Sequence, residues 1–157
     1  MDHKYLNIYN NLIKLTRNKS LYLNISGEES FSDRIIFLLL HLSFFLKIYK
    51  RPENKDLMQD IHDFVFRQIE LSIREIGYGD VSVNKKMKDY VNLLFSIIDK
   101  IDDWDVKNNA EKSDIFKLYI EHSENYDIYI NYFEKYRIFL SKNSFNNLSK
   151  DILTVKN

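Results

Sequence analysis

The sequence predicts an all-α single domain of five to seven helices built around one central apolar helix. Three observations carry this. One proline and three glycines in 157 residues leave little to interrupt helices. Apolar residues recur at three- and four-residue spacing through most of the chain. The longest apolar run, Ile35 to Leu40 followed by Leu42, Phe44, Phe45, Leu46 and Ile48, is hydrophobic on all sides, as a buried helix is. A chain of this size buries about two-thirds of its unfolded surface, enough for a core without metals or disulfides.

In chain order, Tyr5, Ile8, Tyr9, Leu12, Ile13 and Leu15 give a first amphipathic helix of about four turns. Asn18-Lys19-Ser20 breaks it, and residues 21–29, with Gly27, read as an ordered linker packed by Leu21, Tyr22 and Leu23. Ser30 or Ser32 caps the second helix, about 32–49, with Asp33 in the first turn where its charge suits the helix dipole. A membrane span needs about 20 apolar residues. This run is interrupted by His41 and Ser43 and bounded by Arg34 and Lys47, so a buried helix is expected instead. Arg51-Pro52 ends it, because proline disfavours helical geometry in the preceding residue.

Leu57, Ile61, Phe64, Val65, Ile69, Ile73 and Ile76 line one face of a third helix that stops at Gly77. Val83, Met87, Tyr90, Val91, Leu94, Ile98 and Ile101 do the same for a fourth, about 82–101. The acidic stretch 99–105 and Lys107-Asn108-Asn109 read as a loop, with Ser113-Asp114 capping a fifth helix that runs to about His122. A sixth, about 123–141, carries Tyr126, Tyr129, Tyr132, Phe133, Tyr136 and Phe139 as a half-buried aromatic face; two helices or one kinked helix remain open. Residues 144–157 hold a weak helical pattern at Phe145, Leu148 and Ile152. The whole chain, 1–157, reads as one unit, with a C-terminal helical extension from 113.

Several function classes lose support on composition. There are no cysteines, which removes disulfides, thiolate zinc sites and cysteine nucleophiles. Basic and acidic residues balance at 23 each, so no bulk charge favours nucleic acid or an anionic membrane. The histidines His3, His41, His62 and His122 show no paired ligand spacing, and His41 reads as a core histidine satisfied by a hydrogen bond rather than as a haem or metal ligand. No register of the acidic stretch supplies the glycine of a calcium loop. Cofactors and catalytic residues are therefore expected to be none. The N-terminus lacks the apolar run of a signal peptide and the Arg-rich pattern of a presequence, giving a bacterial cytoplasmic protein as the expectation.

The signature of the chain is Arg74-Glu75-Ile76-Gly77-Tyr78-Gly79-Asp80-Val81-Ser82-Val83-Asn84-Lys85-Lys86-Met87. Gly77 can take the left-handed conformation that ends a helix, and Asp80 or Ser82 can cap the next, so this is a helix–turn–helix corner. Arg74, Glu75, Asp80 and Lys85 could form a charged network bracing it; the alternatives are that each caps or solubilises a helix end, or that they form part of a docking surface. The stretch resembles the central motif of the ubiquinol–cytochrome c chaperone family, a long helix ending in Leu-Arg-Glu-x-Gly-x-Gly-Asp-x-Ser-Val and then a basic helix start. Arg34 with the apolar Ile35–Leu42 run containing Leu40-His41 is similar to a second family segment, and Leu21 to Ile25 matches its aromatic entry loosely. The likeness covers about residues 17–100. It departs where the family continues with an aromatic-Gly-Arg motif and this chain has Phe95-Ser96-Ile97.

The resemblance implies a non-catalytic assembly chaperone for the cytochrome bc1 complex, with newly made cytochrome b as client. The ribosome and the inner-membrane surface stay open as further contacts. The client is expected in a groove beside the third and fourth helices, with Arg74, Glu75, Tyr78, Asp80, Lys85 and Lys86 at its rim. The competing expectation is a helical adaptor at a membrane surface, or an interaction module with another client.

Overall fold

Helix α2, Phe31–Ile48, is the axis on which α1, α4 and α6 pack. The computed structural model describes residues 3–23, 25, 30–121 and 123–145. Within them the chain forms six α-helices, three short 3₁₀ turns and one isolated bridge between Ile25 and Ser123. It is the all-α single-domain bundle expected from the periodicity.

Local chemistry sets where α2 begins. Ser30 Oγ accepts the Asp33 N–H at 3.1 Å, and the Asp33 carboxylate accepts the Ser30 N–H at 3.0 Å, a reciprocal cap. Its residues 35 and 37–45 are all buried, including His41 and Ser43. No helix among the described residues is long and apolar enough to cross a membrane.

Helix α1, His3–Thr16, turns Ile8, Leu12 and Leu15 toward this core. Asn18 ends the segment by capping the 3₁₀ turn Lys19–Leu21, its side chain accepting the Ser20 N–H at 3.1 Å. The linker that follows is anchored by Leu21, which is fully buried, and by Tyr22, which packs edge-on to Phe37. Leu23 does not join them: it is 75% exposed. Gly27 lies outside the described residues.

Pro52 opens a 3₁₀ turn, Pro52–Asn54, that leads into α3, Lys55–Ile76. Ile61, Val65, Phe66, Ile69 and Ile73 are its buried stripe. Phe66 joins the expected face and Ile76 leaves it, because the helix projects beyond the core in its last turn. Helix α4, Asp80–Ile101, buries Val83, Leu94, Ile97 and Ile101. His62 of α3 lies against Phe95 of α4, each a similar number of residues from the corner, so the two helices run antiparallel.

The acidic stretch after α4 is not merely a solvated loop. Trp104 begins a 3₁₀ turn, Trp104–Val106, and its indole is fully buried edge-on to Phe44 and Phe116, with Nε1 donating to Glu134 at 2.8 Å. Helix α5, Asn109–Tyr119, starts earlier than Ser113-Asp114 suggests. Asn108 accepts the Glu111 N–H while Glu111 accepts the Asn108 N–H, so the stronger reciprocal cap sets the start and leaves Ser113 inside the helix. A break between Tyr119 and Asp127 separates α5 from α6, Asp127–Lys142, so these are two helices; His122 lies outside the described residues.

The aromatic face of α6 is core at its centre and half-buried at its ends: Tyr129, Tyr132, Phe133 and Tyr136 are buried, Tyr126 and Phe139 partly so. Phe133 stacks between Phe44 and Phe116 at 5.2 and 5.5 Å. Each buried tyrosine finds a polar partner, as burial of a phenol requires. Tyr129 donates to the Leu21 carbonyl and Tyr136 to the His41 carbonyl, while Tyr132 meets the His41 ring. Beyond α6, Phe145 packs on Phe45 and Tyr49, and Leu148 and Ile152 lie outside the described residues.

Candidate functional site

Gly77 closes α3 with φ +110°, a left-handed geometry that a residue with a Cβ adopts only at a cost. Gly79 then serves as the N-cap of α4 with extended backbone, and no side chain caps that helix. Asp80 and Ser82 therefore do not play the capping role assigned to them. Asp80 is occupied elsewhere: its carboxylate takes a hydrogen bond from Arg74 Nη1 at 2.5 Å, across the turn. Arg74 also approaches Glu70 at 3.8 Å. Lys86 places its ammonium 4.7 Å from the centre of the Tyr78 ring, a cation–π contact from α4 back to the turn.

The six candidate residues thus gather at one end of the bundle as two pairs, Arg74 with Asp80 and Lys86 with Tyr78, beside the exposed Glu75 and Lys85. Between the charges Ile76, Tyr78 and Val81 stand 53%, 43% and 86% exposed. The corner thus exposes apolar side chains among its charges. The six candidates are not among the residues that line the two grooves described next.

Two grooves lie elsewhere. One, of about 640 Å³, sits at the opposite end of the α3–α4 hairpin, between the end of α2, the Pro52 turn, the first half of α3 and the second half of α4. Leu46, Met58, Phe95 and Ile98 supply its apolar surface, and Lys47, Lys50, Arg51 and Lys55 its charge. His62 forms part of its wall, its ring against Phe66 at 4.6 Å and Phe95 at 6.2 Å. His62 Nδ1 lies 3.1 Å from Asp63, while Nε2 is buried without a hydrogen-bond partner among the described residues. The other groove, of about 930 Å³, lies between α1, the first half of α2 and α3, with Lys14, Arg17, Lys19 and Arg34 among its lining.

His41 is sealed away from all of these surfaces. A carbonyl oxygen only accepts, so the proton sits on Nδ1 and is donated to the Phe37 carbonyl at 2.6 Å. Nε2 then accepts from the Tyr132 hydroxyl at 2.7 Å. Burial disfavours the imidazolium and pulls the pKa from 6.5 down to about 4, against a smaller opposing effect of the Phe37 hydrogen bond. Both nitrogens are engaged and the ring is packed by Tyr132, Phe133 and Tyr136, so it offers no free position to a haem or metal. It is the core histidine expected.

The sequence reading missed the first groove and the buried Trp104. Its cations were visible as Lys47, Lys50, Arg51 and Lys55 around a proline, but that pattern equally marks a helix end.

Fold and surface together define a single-domain helical bundle whose distinguishing chemistry lies on its exterior. The ubiquinol-cytochrome C chaperone profile matches residues 25–111, more than half of the chain, and the chain belongs to that family. Among solved structures it is similar to the crystal structure of the Cbp3 homolog from Brucella abortus. That likeness has a TM-score of 0.77 at 20% identity, covering 98% of this chain and 89% of the other, and it shows a shared fold. No curated protein matches the chain. The profile covers α2 to α4 and the start of α5, whereas the structural likeness runs on through α1 and α6.

Proposed function

We propose that this chain is a non-catalytic assembly chaperone for the cytochrome bc1 complex (respiratory complex III), binding and stabilising newly made cytochrome b. Its family membership over residues 25–111 is the observation that carries this reading. The exterior is consistent with a holder of apolar protein segments: large aliphatic and aromatic side chains stand exposed at the corner, framed by charges of both signs. We place the client's contact on this corner, with Ile76, Tyr78 and Val81 as apolar contacts. Arg74, Glu75, Asp80, Lys85 and Lys86 then set register around them. The protein works from the cytoplasmic side, reaching its client at or near the inner membrane.

Deleting the gene and recording b- and c-type haem spectra with ubiquinol–cytochrome c reductase activity of the membranes tests the function. A selective loss of b-type haem and of that activity is expected, with other respiratory complexes intact. Unchanged spectra and activity would make the fold a helical adaptor for a different client. The placement is tested apart from the function. Lys85→Glu with Lys86→Glu, which leaves the core untouched, should weaken capture of cytochrome b; undiminished capture by this folded variant would move the contact off the corner.

A further inference from the structure

The groove at the far end of the α3–α4 hairpin is not used by the function proposed above, and its build is that of a small-molecule site. Leu46, Met58 and Ile98 form an apolar floor, half-buried and packed on the core. At its mouth stand Phe95, 57% exposed, and the exposed Lys50, Arg51 and Lys55. No carboxylate among the described residues lines it. Its volume of about 640 Å³ falls within the range of small-molecule sites, about 300–1,000 Å³, which are mostly apolar with a few polar groups.

Two features define the ligand. The floor is recessed behind the cations, so an apolar body reaches it only by passing between the charges, as a single molecule does and an extended surface does not. The turn that carries those cations is also mixed in sign. Glu53 and Asp56 are exposed among Lys50, Arg51 and Lys55, and residues 50–56 together carry one net positive charge. That balance suits a head with one negative charge and disfavours a polyanion.

We propose that the groove binds, one molecule at a time, a single-chain amphiphile with a monoanionic head, of the medium-chain carboxylate class. The hydrocarbon chain lies on Leu46, Met58 and Ile98 beside the Phe95 ring. The carboxylate takes charge-assisted hydrogen bonds from Lys50, Arg51 and Lys55, whose stems cover the first methylenes. The corner bearing Tyr78 and Val81 sits at the other end of the hairpin, so a bound chain leaves it open to a protein.

Titration calorimetry of the purified full-length chain with octanoate and decanoate, both below their micelle concentrations, tests this. No cytochrome b is present, so its failure is distinct from failure of the chaperone reading. Saturation at one molecule per chain is expected, with affinity rising about four-fold for each methylene buried. Lys50→Gln, Arg51→Gln and Lys55→Gln together should weaken decanoate on the order of ten-fold and keep the gain per methylene. Decyltrimethylammonium, with the same chain and the opposite head charge, should bind the parent more weakly than decanoate does. Phe95→Ser and Met58→Gln should each reduce the gain per methylene. Lys85→Gln with Lys86→Gln should leave binding unchanged, and circular dichroism of each variant should match the parent. No saturable binding, equal binding of the cationic amphiphile, an unaffected triple variant, or equal losses from the corner variant would each overturn the proposal. Binding to phosphatidylglycerol vesicles without uptake of the free carboxylates would do the same, by returning the cations to a lipid surface.

Discussion

Replacing His41 by leucine should turn a pH-dependent stability into a flatter one, and the structure fixes the size of the effect. In the folded protein the imidazole titrates near 4 because burial opposes its charge; unfolded, it returns to about 6.5. The unfolded state therefore binds the proton first. Stability is at its full value above pH 6.5 and falls as the pH drops toward 4, below which this group contributes no further loss. Integrated over the window, His41 alone removes about 2 kcal/mol by pH 5 and about 3 kcal/mol by pH 4. The substitution has its own cost at neutral pH, since it strands the Tyr132 hydroxyl that donates to Nε2; a buried unsatisfied polar group costs about 1–3 kcal/mol. The variant should thus be less stable at pH 7, and the gap should close as the pH falls to 4. Urea titrations of both proteins at several pH values read this directly, because the carboxylates titrate alike in each and cancel in the difference. A gap that stays constant from pH 7 to pH 4 would refute the neutral buried imidazole.

Three further outcomes follow from single contacts. Gly77→Ala meets no atom within 4 Å, so its cost is purely conformational, about 1–2 kcal/mol, visible as a lower urea midpoint at unchanged slope. Trp104→Ala empties a fully buried site and removes the bond to Glu134, and should cost about 3–5 kcal/mol in denaturant unfolding, far more than a residue of an acidic surface loop. Asn108→Ala removes one half of the reciprocal cap of α5 and should cost about 1 kcal/mol, whereas Ser113→Ala should leave the midpoint unchanged.

The contrast between Asn108 and Ser113 illustrates what was legible. Helices α1 to α4 followed from three-and-four spacing and from punctuation at Ser30, Pro52 and Gly77, because these signals are local and each lies next to the element it delimits. The start of α5 had two competing caps within six residues, and only the reciprocal bond with Glu111 decides between them. Trp104 sits among aspartates, so composition argued for solvent; its partner Glu134 is 30 positions away, beyond any window of periodicity. The corner could be located from its glycines, but the exposure of Ile76 could not, since it continues the apolar stripe of α3 in the sequence and lies past the core in the fold. The groove is assembled from three helices spread over residues 46–98, each contributing side chains that look ordinary in their own segment.

The tyrosines of α6 have a consequence for the order of manufacture. Tyr132 and Tyr136 both reach the His41 residue, one at its ring and one at its carbonyl, and Phe133 covers Phe44. The wall of α2 that they cover is closed only when α6 packs on it, and about 80 further residues must leave the ribosome before α6 arrives, an interval of about 4–16 s at ordinary elongation rates. For that time the most hydrophobic segment of a protein assigned to shelter others is itself a nascent chain in need of shelter.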